Sequence, residues 1–298
     1  MQPNALSLSL ITGLVLSLGM AAAAEAQTVK IDNAVARVVV IPENRVDVGV
    51  EVIPGKADLP GLQVVRRGQS VEIDGQLSRR ATSGLRGGLI NRCESTYRTG
   101  SQPGEGARVE VRGHGRIALE DAPLVVVRTP LGVDVSSSGA VFGSVGPGAQ
   151  TLQLQSAGCG GWTVGNVADK ADIILAGSGS VRMGTARSLN LRIGGSGTVE
   201  ARETRDLRIA IGGSGDVRLS RLNGNGSIQV GGAGDVRIDG GRANRLDIAV
   251  AGSGDVRFDG RVEDVSISIA GSGDVYVREA TGRVSKSVIG SGDVHIGR

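Results

Sequence analysis

Aromatic residues are almost missing from this chain. One Trp, two Tyr and two Phe make up 2% of 298 residues. That scarcity argues against the aromatic platforms on which sugar-cleaving clefts and single-stranded nucleic acid sites are built. Histidine is nearly as rare. His114 and His295 are the only two, too far apart in the repeat order to share one site. No H-E-x-x-H, G-x-S-x-G or Walker sequence occurs. The two cysteines, Cys93 and Cys159, form no C-x-x-C pair, which argues against a redox or catalytic cysteine. Charge of one sign is also lacking. The formal net charge is +3, with acids interspersed among the bases, so nucleic acid is not an expected partner.

Long apolar runs are absent with one exception. Leu6 to Leu18 is an apolar core, followed by Ala24-Glu25-Ala26, an A-x-A cleavage site before Gln27. Thirteen residues do not span a bilayer, which takes about 20. The pattern is that of a secretory signal at 1–26, although it lacks a basic n-region. Export to the periplasm, the cell surface or the medium is therefore expected, with no transmembrane segment after cleavage.

Glycine is abundant, with 49 residues, and much of it is periodic. Gly-Ser-Gly-Ser starts at Gly177 and Gly-Ser-Gly-Thr at Gly195. Gly-Ser-Gly-Asp or Gly-Ala-Gly-Asp starts at Gly213, Gly232, Gly252, Gly271 and Gly290. A fixed step near 19 residues is the signature of a repeat architecture. Around each corner the apolar residues alternate, as in Leu207-Arg-Ile209-Ala-Ile211 before it and Val217-Arg-Leu219 after it. Period-two alternation means strands with one buried face. The glycines are expected to supply positive φ at a tight turn.

A single repeat buries too few apolar side chains to offset the ordering of its own backbone. It must stack on its neighbours, which makes the chain an all-β parallel β-solenoid. The competing fold is a set of antiparallel hairpins. It fits less well, because the second connection in each repeat is long and variable. The expected organisation is a single-domain β-solenoid of about ten coils. A strand-rich cap with an excursion loop and degenerate first coils fills 27–132, and the Gly-Ser-Gly-Asp solenoid fills 133–298. Val109 to Ile117 is read as an early corner, and Leu77 to Gly106 as the loop.

The Gly-[Ser/Ala]-Gly-[Asp/Ser/Thr]-Val corners, the leading Val29-Lys-Ile-Asp-Asn33 segment and the signal peptide resemble the auto-transporter adhesin family with the head GIN domain. The resemblance covers nearly all of the mature chain, and 133–298 most closely. It implies a β-helical protein of the bacterial cell envelope. No translocator barrel is seen after the last coil, so export by another route is expected.

Several residue sets invite chemistry. Asp216, Asp235, Asp255, Asp274 and Asp293 share one repeat position. A calcium roll needs G-G-x-G-x-D-x-U-x in nine-residue steps, and here the acid falls one residue early in steps twice as long. The aspartates are therefore expected to bond backbone N–H groups of the corner. Arg182, Arg218, Arg237 and Arg257, continued by Tyr276 and His295, form a second column. It is read as a solvated face that blunts aggregation, with an acidic polysaccharide as the alternative ligand. Cys93 and Cys159 are expected to form a disulfide in an oxidising compartment. No catalytic, cofactor-binding or metal-binding residue is assigned.

The expected function is a non-catalytic, adhesin-like interaction or structural module of the envelope. The alternative is a carbohydrate-active β-helix that binds or cleaves polysaccharide. Expected partners are an envelope protein, a polysaccharide or a second copy joined through the C-terminal coil.

Overall fold

The computed structural model describes residues 27–77, 90–94 and 102–297. The expected signal peptide and most of the expected excursion loop lie outside the described residues. Among the described residues no helix is long and apolar enough to cross a membrane.

The strands stack as parallel coils in about nine turns of a β-solenoid. Thr198–Ile211 shows how one coil is made. It lies between Ser180–Ile193 and Val217–Val230 and pairs with both in parallel register. Val199, Ala201, Leu207, Ile209 and Ile211 are buried, and each such aliphatic side chain contributes about 1.5–3 kcal/mol on leaving water. The alternation slips at Arg202-Glu203 and again at Arg205-Asp206, where two consecutive residues turn outward. There the strand bends around the core. Thr204, buried between these bends, is satisfied by the carbonyls of Arg187 and Asp206, both at 3.1 Å. That pairing removes the cost of a buried hydroxyl.

The N-terminal part is threaded differently from the expected strand-rich cap of atypical first coils. Thr28–Pro42 is an inner layer, not the end of the stack. It pairs in parallel with Gly132–Val145 on one side. On the other side it pairs with Ser70–Asp74 and Leu124–Thr129. Two later segments thus complete the layer outside the first strand. Beyond them the direction reverses: Gly49–Ile53 runs antiparallel to Leu124–Thr129, and Gln63–Arg67 antiparallel to Ser70–Asp74.

Residues 108–118 also differ from the expected early corner. Arg108–Val111 and Gly115–Ala118 form an antiparallel hairpin, with positive φ at Gly113 and Gly115. Ile90–Glu94, inside the expected loop, adds a third antiparallel strand. This small sheet has its own apolar cluster, in which Val109, Val111, Ile117 and Leu119 pack with Val35, Ala140 and Phe142 of the solenoid.

Candidate functional site

The repeated corner is the most regular feature of the molecule. Its glycines do not work as expected. Of the Gly-x-Gly corners from Gly177 to Gly292, only Gly290 has a positive φ. What the others need is the absence of a Cβ. A Cβ on Gly177, Gly195, Gly213, Gly232, Gly252 or Gly271 would lie 2.1–2.2 Å from the carbonyl oxygen of the corresponding glycine one coil earlier. The second glycine column repeats this, with 2.2 Å from Gly254 to the Gly234 oxygen. The close approach lets the residue between the glycines bond the coil beneath. The Ser196 N–H donates to Gly177 O, Ser214 to Gly195 O and Ser253 to Gly232 O, each at 3.1 Å.

The aspartates continue this stacking. Asp216 Oδ1 accepts from the backbone N–H of Asp235 at 3.0 Å. Asp235, Asp255 and Asp274 accept in the same way from the next aspartate in the column, each at 2.8 Å. Each carboxylate thus ties its coil to the following one through a charge-assisted bond. Among the described residues no group of three or more His, Cys, Asp or Glu side chains is placed to hold a metal ion. An amide oxygen can accept the same bond. Asp255→Asn is therefore expected to keep a weaker bond and to lose less stability than Asp255→Ala, which loses about 1 kcal/mol. Thermal unfolding of both variants checks this, and an Asp255→Ala chain as stable as the unaltered one would show that the inter-coil bond contributes nothing.

The arginine column is not a bare basic stripe. Arg182 pairs with Glu200 at 2.9 Å. Arg218 and Arg237 both reach Asp239, at 3.0 and 2.8 Å. Arg237 and Arg257 both reach Asp259, at 3.0 and 2.7 Å. These two aspartates escaped the sequence reading, although each stands two residues after an arginine of the column. The column ends in rings. The Arg257 guanidinium lies 4.1 Å from the centre of the Tyr276 ring, and the Tyr276 and His295 rings stack with centres 6.1 Å apart. The other histidine, His114, lies on the small sheet with Nδ1 2.7 Å from Asp58 O.

Burial pushes the Asp239 carboxyl up, but hydrogen bonds from Arg237 and Arg218 outweigh it and hold the group below the usual carboxylate range. Asp172 is likewise pushed up by burial and held down by Lys170 and Asn190. Burial raises Asp134, against the hydroxyl of Thr28. A depressed folded pKa adds stability above the unfolded value of about 3.9 and loses it as pH falls through the folded value. Asp134 acts in the opposite sense and favours the protonated form. Acid unfolding is therefore expected to weaken the fold below about pH 4, and Asp239→Asn to flatten that limb. A denaturant titration at several pH values measures it. An unchanged acid limb in the variant would remove Asp239 from the account.

On another outward face lies a shallow groove of about 270 Å3, lined by Lys170, Asn190, Arg208, Asn225, Arg245 and Asp247 among others. Asp247 is tied to Arg245 at 2.8 Å. The structure joins Cys93 to Cys159 in a disulfide, which fastens the small sheet beside the Gly158 corner.

Among solved structures, three chains are similar. One, from Bacteroides fragilis NCTC 9343 and described as "a putative adhesin", is 12% identical with a TM-score of 0.33. The similarity covers 91% of this chain and 92% of that one. No curated protein matches the chain. The family profile described as "Putative auto-transporter adhesin, head GIN domain" matches residues 107–223 and again 203–297. The chain belongs to that family.

Proposed function

We propose that the protein is exported and serves as a non-catalytic, adhesin-like interaction or structural module of the bacterial cell envelope. The observation that carries this reading is the in-register stack. It repeats outward side chains at one-coil intervals along a rigid body, as in the column Arg218, Arg237, Arg257 and Tyr276. Extended repetitive surfaces of this kind suit binding more than turnover. Membership of an adhesin head family supports the same reading. The apolar segment and the Ala24-Glu25-Ala26 sequence support export, with the mature chain starting at Gln27.

The second reading, a carbohydrate-active protein, is favoured by the polar groove around Asn190 and Arg208. Its acids argue for binding over cleavage. Asp247 is held by Arg245 and Asp206 accepts from Asn225, so neither stands as the free general acid that glycoside hydrolysis needs.

Expression with its native N-terminus, followed by cell fractionation and mass determination, tests export. A chain that keeps residues 1–26 in the cytoplasm contradicts it. A glycan array run beside a reducing-sugar release assay separates the two readings. Sugar release abolished by no surface change other than one in the groove would replace the first with the second.

A further inference from the structure

The C-terminal coil is the expected joint to a second copy, and one of its residues bears directly on that joint. Val284–Gly290 pairs in parallel register with Val256–Gly271 below it, and among the described residues no strand pairs on its other edge. Such an edge is a template for another chain. One core column runs through Ile173, Leu191, Ile209, Ile228, Ile248 and Ile267. The next residue in that column, in register with Ile267, is Lys286.

We infer that Lys286 is a built-in stop that keeps a second copy from stacking end to end on this coil. Ile267 beneath it is 2% exposed, while Lys286 itself is exposed. A lysine suits both demands, because its methylene stem covers apolar surface and its ammonium stays in water. A further layer placed on the coil would bury that ammonium at the centre of an apolar column. An unpaired buried charge is among the costliest groups a protein can hold. An inward-pointing charge on an edge strand is a known way to guard an open sheet edge. The argument holds whatever chain follows, since any coil of the same kind would meet the same lysine. Val284 and Val288, on either side of Lys286, are apolar and 45% and 41% exposed. Without Lys286 they would continue the core into a second copy.

Among the described residues, the far side of the stack is guarded in another way. Its outermost strands, Gly49–Ile53 and Gln63–Arg67, run against the solenoid direction and carry Glu51, Arg66 and Arg67.

Light scattering on the full chain at concentrations up to about 100 μM tests the stop. The unaltered chain and Lys286→Glu are expected to stay monomeric. Lys286→Ile is expected to raise the average mass about twofold or more as concentration increases, and adding Val288→Lys to it should restore the monomer. If Lys286→Ile does not fold, as judged by circular dichroism, Lys286→Met carries the same expectation. A folded Lys286→Ile or Lys286→Met chain that stays monomeric overturns the inference. So does an unaltered chain whose amides at 284–290 become protected from hydrogen exchange as its concentration rises.

Discussion

Gly254→Val is expected to destabilise the solenoid by about 3 kcal/mol or more. The first atom of the new side chain would sit 2.2 Å from the Gly234 oxygen and 3.0 Å from both the Gly234 carbonyl carbon and Val230 Cγ1. Neither backbone atom can give way without opening the coil spacing, which weakens the Ser253 and Gly254 N–H bonds to Gly232 O. Alanine is enough to create the clash, so Gly254→Ala is expected to share most of the loss. Two controls isolate the cause. Gly113→Ala enters a left-handed position, φ +83°, with open space around it, and is expected to cost about 1–2 kcal/mol from the backbone alone. Arg257→Ala gives up a half-buried ion pair with Asp259, which keeps Arg237, and a ring contact with Tyr276, which is expected to cost about 1 kcal/mol. Thermal or denaturant unfolding ranks the variants. If Gly254→Ala cost no more than Arg257→Ala, close stacking would not be the reason for the corner glycines.

Breaking the Cys93–Cys159 bond is expected to have the second large effect, and a local one. The bond spans a sequence separation of 66 residues, and closing a loop of that length restrains the unfolded chain by about 4 kcal/mol. The small sheet it fastens has an apolar cluster distinct from the main core. Cys93→Ser should therefore speed amide exchange in Arg108–Val111 and Gly115–Ala118 and expose Phe142. The solenoid from Val217 to Ile296 should keep its protection, because its coils hold one another through their own ladders. Unfolding of the solenoid together with the small sheet would show that the two are one cooperative unit. Unchanged exchange in the small sheet would show that the cluster holds without the bond.

The solenoid was legible because its cause is local and repeated. Period-two alternation and a 19-residue step are each visible in one repeat and confirmed by the next. The reason for the glycines was not legible. A positive φ and a close backbone approach both select glycine, and only the neighbouring coil, a full repeat away, distinguishes them. The hairpin at 108–118 was misread because Gly113-His114-Gly115 imitates the Gly-x-Gly corner. The difference lies after the second glycine. Gly234 and Gly115 are both followed by a charged and then an inward apolar residue, Asp235-Val236 and Arg116-Ile117, but an arginine stands at Arg116 where the corners from Gly177 onward carry Asp, Ser or Thr. The placement of Thr28–Pro42 between two layers could not be read from its own residues, since its outer partners come from 70–74 and 124–129. Asp239, Asp259 and Lys286 were readable in principle. Asp239 and Asp259 follow an arginine at i+2, and Lys286 replaces an apolar residue in the alternation Val284-Ser-Lys286-Ser-Val288.

The glycine columns, the aspartate ladder and the lysine stop all depend on one claim, that successive coils are parallel and in register. Gln155, Ile174, Arg192, Ala210, Gln229, Ala249, Ser268 and Ser287 form one outward column through that register. Spin labels at Gln155 and Ser287 would then be seven layers apart, and labels at Gln155 and Gln229 four. At about 4.8 Å per layer the mean separations are expected near 34 and 19 Å, in a ratio of about 7 to 4. Pulsed dipolar spectroscopy on the two doubly labelled chains measures both. Two narrow distributions at those distances are the predicted result. A Gln155–Ser287 distance no longer than the Gln155–Gln229 distance would contradict the stacked register.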